Sequence, residues 1–136
     1  MNSHLVPNLK KVLNNAKNWM KAAEAYADQK KFDVNVLMEA RLAPDMYSFA
    51  KQIQVLSDNA KGAVARLAGQ EIPKYEDNEK TFSELHARLD KTIAFVSKFS
   101  TEDLKGSGER LVRMPWMEEG KYFYGHDYVN DFLWAN

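Results

Sequence analysis

The stretch Ala43 to Gly69, APDMYSFAKQIQVLSDNAKGAVARLAG, decides the fold. Its apolar positions Met46, Phe49, Ala50, Ile53, Leu56, Ala60, Val64 and Leu67 recur every three or four residues, which lines them along one stripe of an α-helix. That stripe requires a partner surface. Pro44 suits a first helical turn, where its missing N–H costs nothing, Asp45 complements the positive end of the helix dipole, and Gly69 is a left-handed stop. The spacing therefore predicts a central helix across this whole stretch.

Working outward toward the N-terminus, a first helix is expected from near Ser3 or Pro7 to about Ala27. Leu9, Val12, Leu13, Ala16, Trp19, Met20, Ala23 and Tyr26 share one face, and Lys10, Lys17, Lys21 and Glu24 lie off it. Asp33 can cap a short helical turn, Val34 to Met38, that leads into the central helix. Beyond Gly69, the segment QEIPKYEDNE carries a proline and four acids and reads as a loop across the end of a bundle, with no chemistry of its own. A third helix starts near Asn78 or Thr81, where Thr81 and Glu84 have capping-box spacing, and runs through Phe82, Leu85, Leu89, Ile93, Val96 and Phe99.

The period then changes. Ser100, Glu102 and Asp103 suggest one more helical turn, which Gly106-Ser107-Gly108 breaks. Arg110 to Met114 and Lys121 to Tyr124, separated by a segment with Pro115 and Gly120, read as a short hairpin that needs packing on the helices. A fourth helix begins after Gly125 with Tyr128, Phe132 and Ala135 on one side. Because the chain stops at Asn136 on an apolar run without a capping glycine, that helix is expected to be cut short. The chain is thus read as one all-α domain, residues 1–136: an up-down four-helix bundle with three long helices, a small hairpin and a short or truncated fourth helix.

Composition removes several function classes. Nineteen basic residues balance nineteen acidic ones, so no basic field attracts nucleic acid or an acidic membrane surface. No apolar run is long enough to span a bilayer and no signal-peptide core is visible, which makes the cytoplasm the expected location. With no cysteine, disulfides and thiol chemistry drop out. Serine nucleophiles lack a G-x-S-x-G elbow, and no glycine-rich phosphate loop occurs.

The segments ARLAPDM (40–46), SDNAKGAVARLAG (57–69), EIPKYEDNEKTFSELHARLDKTIAF (71–95) and GHDY (125–128) together resemble the bacterial domain-of-unknown-function family nineteen ninety-three. That family is a branch of the DinB/YfiT-like superfamily, and the resemblance extends over essentially the whole chain. It implies a four-helix bundle with a long connection between the second and third helices, and dimers in related branches. Superfamily members are described as metal-dependent enzymes that hold a divalent ion with three histidines, one on the second helix and two on the last. A divalent metal is therefore a cofactor by resemblance only, since the second helix here contains no histidine.

Candidate site residues are few. The three histidines, His4, His86 and His126, have no H-x-x-x-H or H-E-x-x-H spacing, so no metal site follows from local sequence. His86 shares a face with Phe82, Leu89 and Ile93 and points toward the bundle interior; a hydrogen-bonded boundary histidine is the favoured reading, a ligand contact the alternative. Gln54, Asp58 and Lys61 form a polar row flanking the central stripe, suited either to a small polar ligand or to an intrahelical pair that fixes register. Arg41 is expected to tie Asp45 or a helix end. Aromatics crowd the last quarter, Trp116, Tyr122 to Tyr124, Tyr128, Phe132 and Trp134, as core or as an interface. Two readings follow: a noncatalytic bundle, expected as a homodimer, that binds a small ligand or a protein, and a metal-dependent enzyme acting on a small molecule. No nucleic-acid or membrane partner is expected.

Overall fold

A computed structural model of the chain describes residues 2–136. A short 3-10 turn, Asn2–His4, leads into α1, Leu5–Lys30, in which Pro7 sits within the first turn. The helix stops at Lys31, whose left-handed backbone (φ 60°) returns its N–H to the Ala27 and Asp28 carbonyls. A 3-10 segment, Val34–Glu39, follows, capped by Asp33 as its sequence predicts. Two long helices come next, α2 over Phe49–Ala68 and α3 over Phe82–Val96. The remainder holds a hairpin of β1, Leu111–Val112, and β2, Phe123–Tyr124, then α4, Gly125–Asp127, which continues with π geometry over Tyr128–Leu133.

The central helix starts six residues later than its apolar spacing predicts. Ser48 provides the cap, its hydroxyl accepting from the Lys51 amide, while Pro44 occupies the second position of a β-turn closed by Met46 N–H on Ala43 O at 3.0 Å. Arg41 reinforces that turn by donating to Met46 O at 2.5 Å, and it does not pair with Asp45. Met46 is accordingly on the surface and off the buried stripe. At the other end Gly69 is the left-handed stop, φ 67°. The capping box of α3 is complete: Thr81 Oγ1 accepts from Glu84 N–H at 3.2 Å and Glu84 Oε2 from Thr81 N–H at 3.1 Å. The helix ends at Val96, and Phe99 follows in a turn but remains buried.

The core forms where α3 lies against both α1 and α2. Leu13, Met20, Val64, Leu67, Leu85, Leu89 and Val96 are fully enclosed there. Burial of each such side chain is worth about 1.5–3 kcal/mol. The stripe of α1 is narrower than its sequence suggests: Leu5, Leu9, Leu13, Ala16 and Met20 are buried, whereas Val12, Trp19 and Tyr26 are exposed. Val12 and Trp19 line a furrow between α1 and α2, while Tyr26 packs edge-on against Phe32 beyond the end of the helix.

The hairpin pairs Leu111 with Tyr124 and Val112 with Phe123, and only the inward Val112 is buried. Its stability comes from aromatic packing, because Phe123 leans on both Tyr128 and Phe132. Tyr128 is fully buried, and its hydroxyl accepts from Arg66 Nη1 of α2 at 3.3 Å. The aromatic quarter thus divides: Tyr128, Phe123 and Phe132 are core or core edge, while Trp116, Tyr122, Tyr124 and Trp134 face outward. Gly125 is where the last helix touches the rest, since a Cβ there would lie 1.9 Å from the Ser107 carbonyl oxygen.

Candidate functional site

Polar chemistry concentrates where the 70–80 connection crosses α2 and α3. Its centre is Arg88 of α3, whose side chain is 2% exposed. Taking an isolated guanidinium out of water is prohibitive, so its partners are numerous. Nη2 donates to Asp58 at 3.0 Å, and Nη1 to Glu79 at 3.0 Å and to the Glu76 carbonyl at 3.1 Å, with Asp77 also at 3.1 Å. Only Nε is buried without a partner. Burial opposes the Arg88 charge, but hydrogen bonding and attraction from Glu79, backed by Asp58 and Asp77, hold its pKa above the ordinary value.

Each carboxylate has a second partner. Lys61 reaches Asp58 at 2.8 Å, Lys51 reaches Asp77 at 2.7 Å, and Gln54 donates to Glu79 at 2.9 Å. The Lys51 bond, with Arg88 behind it, lowers the Asp77 pKa. Three cations therefore meet three carboxylates. Tyr75 lies over the cluster, its ring centroid 4.1 Å from Lys91 Nζ, 4.5 Å from Lys61 Nζ and 5.5 Å from the Arg88 guanidinium carbon. Beneath it, Ser57 and Thr92 share a buried hydrogen bond of 2.7 Å between α2 and α3.

The row Gln54, Asp58 and Lys61 is thus gathered into one network, in which Gln54 and Lys61 are buried. His86 stands apart from it: its Nε2 is 2.6 Å from Glu24 of α1, on the other side of α3. His126 stacks on Tyr124 and contacts the Gly108 carbonyl through Nδ1 at 2.8 Å. Sequence reading missed Arg88, Tyr75, Asp77 and Glu79. One signal was present, since Arg88 falls between Leu85, Leu89 and Thr92 on the buried face of α3, and a charge there demands carboxylates, four of which stand in the preceding loop.

The three cations and three carboxylates of the network tie α2, the loop and α3 together. A three-histidine metal site does not fit these residues. Among those described, no group of three or more His, Asp or Glu is placed to hold a metal ion, and the converging carboxylates enclose a guanidinium instead.

Two apolar concavities lie elsewhere, on either side of Gln52. One, about 400 Å³, is the furrow between α1 and α2, closed at one end by Leu133 and Trp134. Its lining includes Leu9, Val12, Trp19, Val55 and Leu56, with Gln52, Asn59 and Asn136 as its polar members and no charged residue among those described. The other, about 480 Å³, is formed by the 37–49 region against Phe82.

A family model described as Domain of unknown function (DUF1993) matches residues 1–136. A crystal structure of a DinB family member protein from Shewanella denitrificans is similar over 98% of this chain and 76% of that one, with 34% identity and a TM-score of 0.91. No curated protein matches. No helix among the described residues is long and apolar enough to cross a membrane.

Proposed function

The chain belongs to the DUF1993 family, with the DinB-like bundle fold, and on that premise we propose that it acts as a noncatalytic binding bundle whose α1–α2 furrow takes the same face of a second copy. The supporting observation is the furrow itself. Trp19 is 65% exposed, Trp134 43% and Val12 36%, and all three line the furrow, so large apolar side chains face water along it. Patches of that kind mark interaction sites. Because no charged side chain among the described residues lines the furrow, an identical face brings no like-charged side chains together, which favours an isologous, two-fold contact. The Arg88 network keeps α2 and α3 in fixed register beneath this face.

Native mass spectrometry and sedimentation over a concentration series test this reading, with elemental analysis of the purified, untagged chain alongside. A metal-free dimer that becomes monomeric in Val55→Glu, a half-buried position on the furrow wall, is the expected result. A monomer at every concentration overturns the dimer, and a stoichiometric transition metal overturns the noncatalytic reading.

A further inference from the structure

The second apolar cavity carries an independent proposal, which does not depend on dimerisation. Its floor is a pair of stacked rings, Phe49 and Phe82, with centroids 5.3 Å apart and planes at 16°. Met46, Tyr47 and Leu42 form its outer wall, and Leu42 is 93% exposed. Leu42, Tyr47 and Met46 are exposed side by side along this cavity of about 480 Å³, so an apolar body seated in it would cover all three.

Arg41 is the sole charged residue among those lining this cavity. It has no carboxylate within ion-pairing distance among the described residues, and the one hydrogen bond it makes, to Met46 O at 2.5 Å, uses Nη1. Arg41 is exposed, so that bond orients its planar fork while the remaining donors face water, which a carboxylate can replace. Asp45, adjacent in sequence, does not neutralise it.

We propose that this cavity binds a small carboxylic acid with an aromatic or branched apolar body, its carboxylate on the Arg41 fork and its body against Phe49 and Phe82. The chemistry is complementary on both counts. A neutral apolar molecule would leave the guanidinium without an anion, while a more highly charged one would place charge against Met46 and Phe82 with nothing to receive it. Here the turn built by Pro44 and the cap at Ser48 have a role beyond starting α2, because they set Arg41 and Met46 beside the cavity.

Phenylacetate and its uncharged analogue phenylacetamide are the probes. In amide-resolved NMR titrations, phenylacetate is expected to shift residues 40–49 and Phe82 saturably and to bind about two- to fivefold tighter than the amide, as an ion pair at an exposed guanidinium predicts. Arg41→Gln should remove that preference. Because Arg41 also holds the turn, Leu42→Glu is the second variant: it changes an exposed position, sets a competing carboxylate beside Arg41, and should weaken phenylacetate by more than it weakens the amide, since both lose the Leu42 wall and only the acid loses its counter-charge. Equal affinity for acid and amide, shifts confined to Trp19 and Trp134, or unaltered binding in Leu42→Glu overturns the proposal. Peptides that end in an apolar residue are a control, and their binding in place of the free acid also overturns it.

Discussion

Replacing Arg88 with methionine removes the charge while keeping most of the side-chain volume, so the consequence is electrostatic rather than a cavity. Removing one partner of a buried ion pair costs about 3–5 kcal/mol, because the remaining charge is left without compensation. Here the orphaned groups differ. The Asp58 and Asp77 side chains are 42% and 36% exposed and can turn to water, whereas Glu79 is 10% exposed and cannot without moving the loop. The lower end of that range, about 3 kcal/mol, is therefore expected. For a chain of this length it corresponds to a fall in Tm of about 9–15 °C. Urea unfolding followed by far-UV circular dichroism at neutral pH measures it, with an unchanged slope confirming that the same transition is observed. Arg88→Met combined with Glu79→Gln should recover a substantial part of the loss, since the orphaned charge is then gone. A loss below about 1 kcal/mol, within the range of exposed pairs, or a double variant no better than the single one, would refute the view that Arg88 clamps the loop.

Three other outcomes are expected. Lys51 and Arg88 lower the Asp77 pKa, so its contribution is present above the unfolded-state carboxylate pKa and disappears as the pH falls through the folded value. Asp77→Asn should therefore flatten the acid limb of the stability profile, and, because Asp77 is part exposed, by about 0.2–1 kcal/mol at most. Lys31 holds a left-handed backbone that suits glycine, so Lys31→Gly should raise stability by about 0.5–1 kcal/mol in thermal unfolding with no change in helix content. Gly125→Ala places a methyl group against the Ser107 carbonyl and should cost about 1–3 kcal/mol, with the near-UV signal of the adjacent aromatics altered.

Periodicity and caps made the bundle legible before any coordinates. The stripe of α2 from Phe49 onward, the Thr81–Glu84 box, the Asp33 cap and the Gly69 stop are local signals, and the structure has each of them in place. Errors occurred where a tertiary contact outweighed local propensity. Pro44 suits a first helical turn, yet Ser48 and the hydrogen bond from Phe49 N–H to Ala40 O at 2.8 Å start the helix later. Trp19 and Tyr26 obey the helical period, but which side of a stripe is covered depends on how far α2 stands from α1, and spacing carries no such information. The polar network was half visible: Gln54, Asp58 and Lys61 come from one helix, and their shared neighbour Arg88 from another, joined only by folding.

The acidic connection also has a consequence for rates. Asp58 is 30 residues from Arg88 and on a different helix, while Glu79 is 9 residues away on the loop between them. The guanidinium finds its full set of partners only after α2 and α3 have paired and the intervening chain has settled over them, so the clasp is expected to close after the main barrier. Interactions absent from the transition state act on the return journey. The clasp is accordingly a brake on unfolding: its loss in Arg88→Met should leave refolding nearly as fast as before and speed unfolding by about a hundredfold.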